Sequence, residues 1–169
     1  MKRKVMVLGT NGMLGSMLVR RWSEEPSFLL FGAVRRAVAP ELAGKLRGVL
    51  GGLDAMAFCK AEQDRLADFI RQNDIAVLVN CVGVIKQRAG GQDPVETTTV
   101  NALFPHQLAQ ICSETGTRLI HLSTDCVFSG DKGQYGETDT PDAQDFYGRS
   151  KALGEVGAPH LTLRTSIIG

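Results

Sequence analysis

What this chain lacks narrows its chemistry before any motif is read. Its 169 residues hold three histidines, His106, His121 and His160, at no metal-ligand spacing. The four cysteines, Cys59, Cys81, Cys112 and Cys126, are far apart and form no CxxC pair. No metal is therefore expected. Three of the four cysteines lie inside apolar runs, as small buried hydrophobes do, and all four are read as reduced thiols. A formal net charge of +1 supplies no basic field for nucleic acid or an anionic membrane. No apolar run approaches the length of a transmembrane span. Lys2-Arg3-Lys4 before Val5–Leu8 has the outline of a signal peptide. That run meets Gly9-Thr10-Asn11-Gly12 too soon for an h-region and offers no cleavage site. A cytoplasmic setting is expected. With no repeat, heptad or low-complexity segment, the length suits one domain with a sizeable core.

Val5-Met6-Val7-Leu8 is a short apolar run ended by Gly9, the form of a fully buried parallel strand. Met13, Leu14, Met17, Leu18 and Trp22 then recur at helical spacing and predict an apolar helix face. Gly9, Gly12 and Gly15 thus stand where a strand turns into a helix. Glycine permits that tight turn and lets backbone N–H groups and the helix N-terminus approach a pyrophosphate. Gly9, Asn11, Gly12, Met13 and Leu14 are the expected dinucleotide-binding residues; the plainer reading is an ordinary strand-to-helix turn. Phe28 to Val34 reads as the second strand, followed by Arg35-Arg36. Arg35 lies 20 residues after Gly15, where an acidic residue would bind the ribose 2′-hydroxyl of NAD. A guanidinium pair suits a 2′-phosphate instead. NADP(H) is therefore favoured over NAD(H), against two solvated arginines at a strand end.

Ala37 to Gly52 predicts a short helix and then a third strand, Gly48 to Leu53. Asp54 after it either accepts from an adenine amino group or caps the next helix. A helix from about Ala61 to Asn73 precedes the apolar strand Ile75–Val79. That strand ends in Asn80-Cys81-Val82-Gly83, at the carboxyl edge where open α/β sheets bind ligands, so Cys81, Val82 and Gly83 join the cofactor-binding candidates. Lys86 to Pro94 reads as a loop. A helix follows from about Thr97 to Gly116, with Pro105 marking a kink or a first turn. Thr117 to Leu122 is the fifth strand and delivers Ser123-Thr124-Asp125 to the same edge; His121 is read as a packed or hydrogen-bonded strand residue. Ser129 to Pro141 reads as a loop over the site, Asp142 to about Gly157 as a helix, and Leu161 to Ile168 as a sixth strand. The βαβ alternation gives an α/β, Rossmann-like, doubly wound parallel sheet of about six strands with helices on both faces.

On the last helix Tyr147 and Lys151 are four residues apart, hence on one side and one turn from each other. A lysine ammonium there can hold a phenol near its ionised form, so a group with an ordinary pKa of about 10 becomes a usable proton donor or acceptor. Alone, the spacing describes a solvated surface pair. With the glycine turn and Leu122-Ser123-Thr124-Asp125 it outlines one site.

With these motifs in place, the chain resembles the extended short-chain dehydrogenase/reductases. Gly9, Gly12 and Gly15 match that family's GxxGxxG, and Tyr147 and Lys151 its YxxxK. Thr124 matches its Ser/Thr at the end of the fifth strand, and Asn80–Gly83 its NAAG-type segment. Ser123 to Gly130, Glu137-Thr138-Asp139 and Leu163-Arg164-Thr165 are most similar to the dTDP-4-dehydrorhamnose reductase branch. The resemblance implies an NAD(P)H-dependent reductase of a 4-keto group on a nucleotide-linked deoxysugar, in dTDP-rhamnose and polysaccharide biosynthesis. It implies Tyr147 as general acid, Lys151 lowering the phenol's pKa and holding the nicotinamide ribose, and Thr124 bonding the reacting oxygen. It leaves room for a homodimer. Cys126 stands where the branch carries a substrate-facing Tyr, which leaves the sugar open. Dehydratase relatives carry Glu there, which argues against dehydration.

Members of the family continue into a smaller C-terminal substrate domain. Residues 1–169 are accordingly expected to be the NAD(P)-binding Rossmann domain alone, weak in cofactor binding and without turnover by itself. Two other readings stand beside the reductase. One is a sugar-nucleotide epimerase of the same family; the other is a non-catalytic NADP-binding regulatory subunit, as one relative of the branch serves methionine adenosyltransferase.

Overall fold

Because every residue from Val5 to Leu8 is apolar, the first strand can bury both of its faces, and it lies between two others in the sheet. In the computed structural model, which describes residues 2–85 and 93–166, six strands pair in parallel. They are β1 (Arg3–Leu8), β2 (Phe28–Val34), β3 (Gly48–Gly51), β4 (Val77–Asn80), β5 (Arg118–Leu122) and β6 (Leu161–Leu163). Their order is β3-β2-β1-β4-β5-β6. Val5 pairs with Leu30 on one side and Val77 on the other. The chain therefore reverses direction across the sheet between β1 and β4, and the carboxyl ends of those two strands flank a switch point.

Alternate strand residues serve opposite layers. Val5, Val7, Leu30 and Val79 pack with Val19 of α1 (Met13–Trp22) and Leu42 of α2 (Pro40–Ala43). Met6, Leu8, Phe31, Leu78 and Leu119 pack with Leu66 and Ile70 of α3 (Lys60–Asn73). Phe104 and Leu108 of α5 (Phe104–Thr115) complete that layer. No helix among the described residues is long and apolar enough to cross a membrane.

Several boundaries differ from the sequence expectation, each for a local reason. α1 keeps its predicted span, but Met13 and Met17 are 64% and 59% exposed, and Gly15 and Val19 are its buried residues. Gly15 has no side chain to hold the helix off the Gly9-Thr10 backbone, so the buried face is rotated toward it. The single helix expected over 97–116 is three pieces: α4 (Pro94–Thr97), a π-helical stretch Thr98–Leu103, and α5. Pro105 sits in the first turn of α5, where its missing N–H costs nothing. The helix expected over 142–157 is only α6 (Phe146–Leu153). Its start is fixed by Asp145, whose carboxylate accepts from Gly148 N at 2.9 Å. Asp142 is held instead by the Ser129 amide, at 2.7 Å.

Strand β3 stops at Gly51 because Gly52 turns away with φ +74°, and β4 begins two residues after Ile75, whose N–H bonds back to Ile70 O. The predicted loop over 86–94 lies mainly outside the described residues, as does the end of the predicted sixth strand. All four cysteines are free thiols, but only Cys112 is buried; Cys81 is intermediate, and Cys59 and Cys126 are exposed.

Candidate active site

The glycine turn opens at the carboxyl end of β1. Gly9 has φ +74°, and a β-carbon there would come 3.2 Å from the Cys81 backbone carbonyl of the loop after β4. At Gly15 a β-carbon would collide with the carbonyl of Gly9. Gly12 N donates to Gly9 O at 2.8 Å and closes the turn. Gly12 is also the N-cap of α1 and brings no side chain to cap it, so the first-turn N–H groups, those of Met13 and Leu14 included, have no side-chain acceptor. Asn11 does something else with its side chain. Its Nδ2 donates to Ala37 O at 2.8 Å, and its Oδ1 accepts from Ala39 N at 3.0 Å. It thereby ties the turn to the loop after β2, on which Arg35 and Arg36 stand exposed. Asp54 caps the short 3₁₀ turn Ala55–Ala57, accepting from Met56 N at 3.1 Å, the second of its two sequence readings.

Across the switch point, Lys151 of α6 is only 5% exposed. Its Nζ donates to Leu122 O at the end of β5 at 2.7 Å and lies 3.5 Å from His121 Nε2. A β-carbon on Gly83 would sit 4.0 Å from the same Nζ, so the lysine reaches the loop after β4. Burial pushes Lys151 down to about 8, while the charge of Glu155 acts the other way. Burial pushes the Cys81 thiol up to about 12 against the pull of Lys151. Tyr147 stands one turn before the lysine, half-buried. The close approach of α6 to the turn after β5 is set by Gly148, where a β-carbon would run into the Cys126 carbonyl.

Thr124 lies at the same edge and is 8% exposed. Its Oγ1 donates to Asp125 Oδ1 and accepts from Cys126 N, both at 3.2 Å, capping the 3₁₀ turn Asp125–Val127. Asp125 also accepts from Ser166, and these bonds, the Ser166 one first, hold its carboxyl below the usual range. Cys126 lines an open cleft of about 530 Å³ with Asp125, Phe128, Tyr135, Glu137 and Arg164. Phe128 and Tyr135 stack at 4.3 Å, and Arg164 covers the Phe128 ring at 4.9 Å while gripping Glu155 at 2.8 and 2.9 Å. Arg164 also donates to Glu137 O and Asp139 O at 3.4 Å, so the loop over 129–141 is held to the residue that follows β6.

The candidates fall into two groups facing one sheet edge. Gly9, Gly12, Met13, Leu14, Arg35 and Arg36 gather at the β1–β2 side, and Cys81, Val82, Gly83, Thr124, Tyr147 and Lys151 at the β4–β5 side. Three buried polar residues missed as site members bind the second group together. Asn80 accepts from Val82 N at 3.0 Å and contacts His121. Asn101, in the π-helical stretch, bonds both backbone groups of Val84 and donates to Ser150 Oγ at 3.2 Å. Ser150 in turn donates to Tyr147 O at 2.7 Å. The signal for Asn80 and Asn101 was an amide inside an apolar run, where a buried polar group needs partners.

Known proteins resemble this chain over most of its length. A probable low-salt glycan biosynthesis reductase of Haloferax volcanii is 31% identical over 168 residues, 96% of this chain and 52% of that protein. The dTDP-4-dehydrorhamnose reductase of Mycobacterium tuberculosis is 40% identical over 91 residues, 51% of this chain and 29% of that enzyme. The chain thus spans about half the length of the Haloferax relative and less of the mycobacterial one. Among solved structures, a hypothetical dTDP-4-dehydrorhamnose reductase from Sulfolobus tokodaii superposes with a TM-score of 0.76 at 27% identity, over 95% of this chain and 55% of that one. Residues 3–168 match the model of the RmlD substrate binding domain, and the chain belongs to that family.

Proposed function

We propose that residues 1–169 are the dinucleotide-binding part of an NADP(H)-dependent reductase acting on a nucleotide-linked 4-keto deoxysugar. The observation that carries this reading is the place of Lys151 Nζ, held by Leu122 O and beside Gly83, across the switch point from the glycine turn. The residues present fit the cofactor: without β-carbons at Gly9 and Gly15 the turn packs tightly against the loop after β4 and the start of α1, and no side chain caps the helix N–H groups that a pyrophosphate would use. Arg35 and Arg36 hold the 2′-phosphate, with no carboxylate beside them in sequence to repel it. Cys81, Val82 and Gly83 would hold the nicotinamide end, and Asp54, beyond its cap, would accept from the adenine amino group.

When bound, NADPH supplies a hydride to the sugar carbonyl carbon. Tyr147 Oη gives its proton to the carbonyl oxygen. Lys151 still carries its proton in most molecules at pH 7, and its charge favours the phenolate left behind. Thr124 Oγ1 turns from Asp125 toward the reacting oxygen, with Ser166 left to hold that carboxylate. Cys126 faces the sugar at the mouth of the cleft. The test is absorbance at the NADPH band with a nucleotide-linked 4-keto deoxysugar, run on the complete gene product whatever its length. One NADPH consumed per sugar reduced is expected; an altered sugar with no net NADPH consumption would mark an epimerase and overturn this reading.

A further inference from the structure

Beneath the candidate site, four groups form a chain of contacts with a direction. Val82 N–H donates to Asn80 Oδ1 at 3.0 Å. That bond fixes the Asn80 amide, because turning it over would set two N–H groups against each other. Asn80 Nδ2 therefore faces His121 Nδ1, at 3.1 Å. A donor at that place needs a lone pair opposite, so in the neutral ring the proton sits on Nε2. Nε2 is the atom that lies 3.5 Å from Lys151 Nζ. Asn80 and His121 are both 0% exposed, so the pattern is sealed from bulk solvent.

An ammonium has three N–H groups and no lone pair, whereas a neutral amine can accept. We propose that His121 is a positioning residue: locked by Asn80 with its proton on Nε2, it presents a donor to Lys151 Nζ and favours the amine over the ammonium. The proposal rests on the reading of Lys151 as partner of Tyr147 and deepens it, by assigning what sets the lysine's hold on its proton. Burial acts in the same direction, bringing Lys151 to about 8. Burial first, then the charges of Lys151 and His106, hold His121 at about 3, so its ring is neutral wherever the lysine titrates. Glu155 beyond α6 opposes the effect by favouring the ammonium, while the Cys81 thiol after β4, pushed up to about 12, is uncharged where the lysine titrates. The outcome is a lysine able to release and regain a proton at mildly alkaline pH instead of a fixed charge.

Nitrogen-15 NMR of the chain, reading the His121 ring nitrogens and the Lys151 side chain across pH, tests this without turnover. The expected spectrum has Nε2 protonated and Nδ1 bare from pH 5 to 9, and Lys151 titrating well below the other lysines. Asn80→Asp places an acceptor opposite Nδ1, moves the ring proton to it and raises the Lys151 midpoint by about 1–3 units. The added charge alone would raise the midpoint without moving the ring proton, so both signals are read. A proton on Nδ1 in the unaltered chain, or a Lys151 midpoint among those of the exposed lysines, overturns the proposal even if the variant does not fold. Neither result depends on NADPH binding, so this inference and the reductase reading fail separately.

Discussion

Lys151 Nζ lies 2.7 Å from the backbone oxygen of Leu122. One side chain thereby joins the helix that carries Tyr147 to the strand that leads to Thr124. The bond holds a positive group in a place where 5% of the residue meets solvent, and its consequences for stability have a definite sign.

Burial lowers the folded pKa of Lys151 to about 8 from 10.5. The unfolded chain therefore binds the extra proton more readily, and the charged lysine costs about 3 kcal/mol of stability at pH 7. Stability contributed at this site rises as pH climbs from 8 to 10.5. Lys151→Met removes the cost along with one hydrogen bond, so it stabilises the chain by about 1–3 kcal/mol at pH 7. Urea unfolding at pH 7 and pH 10 checks it: the variant's advantage shrinks at the higher pH.

His121 acts in the acid range. Its folded pKa of about 3 lies below the ordinary 6.5, so the unfolded chain takes up a proton first as pH falls. Stability is full above 6.5 and falls by about 2–3 kcal/mol between pH 6.5 and 4.5 from this group alone. The carboxyls of Asp125, Asp139 and Asp142 are held below the ordinary 3.8, first of all by bonds from Ser166, Lys132 and the Ser129 amide in turn. Their contributions are therefore lost only at lower pH. His121→Gln removes the decline above pH 4.5, as thermal unfolding at pH 7 and 4.5 reads it; an equal decline in the variant would place its cause elsewhere.

Most of the scaffold was legible because it rests on uninterrupted apolar runs. Val5–Leu8 and Phe28–Val34 left no alternative to buried strands, and the glycine turn between strand and helix followed from residue type alone. What stayed hidden depended on partners distant in sequence. The exposed face of Met13 and Met17 reflects the approach of Gly15 to the Gly9 backbone, which helical spacing does not encode. The start of α6 turned on which of two aspartates was left for capping, and Asp142 was engaged by Ser129 across the loop. Asn11 stands in the glycine turn, as its place in the sequence implies, but its side chain is engaged by Ala37 and Ala39.

Gly148 is where the site tolerates least. A β-carbon there would meet the Cys126 carbonyl and come 2.6 Å from Ala143 Cβ. Gly148→Ala pushes α6 away from the 3₁₀ turn Asp125–Val127, destabilising the chain by about 1–3 kcal/mol. Denaturant unfolding reads the loss, and a variant as stable as the parent would show that this contact is looser than described.

Arg35 and Arg36 bear on cofactor choice. If they hold the 2′-phosphate as proposed, replacing both by alanine removes charge-assisted bonds worth about 1.5–3 kcal/mol, or roughly 10- to 100-fold in NADPH affinity. NADH affinity stays within about threefold, since it carries no 2′-phosphate to lose. Calorimetry with the two dinucleotides distinguishes these outcomes, and tighter binding of NADH by the unaltered chain would remove the arginines from that role.

The central claim is that one dinucleotide spans the switch point, with its phosphates at the glycine turn and its nicotinamide beside Tyr147 and Lys151. The most direct measurement is NMR of the chain saturated with NADP, reading amide shifts and intermolecular proton contacts. The account predicts shifted amides from Gly9 to Leu14 and at Gly83, and contacts between the nicotinamide ring and the Tyr147 side chain. Adenine protons at Tyr147, or amide shifts confined to the opposite edge of the sheet, would contradict it.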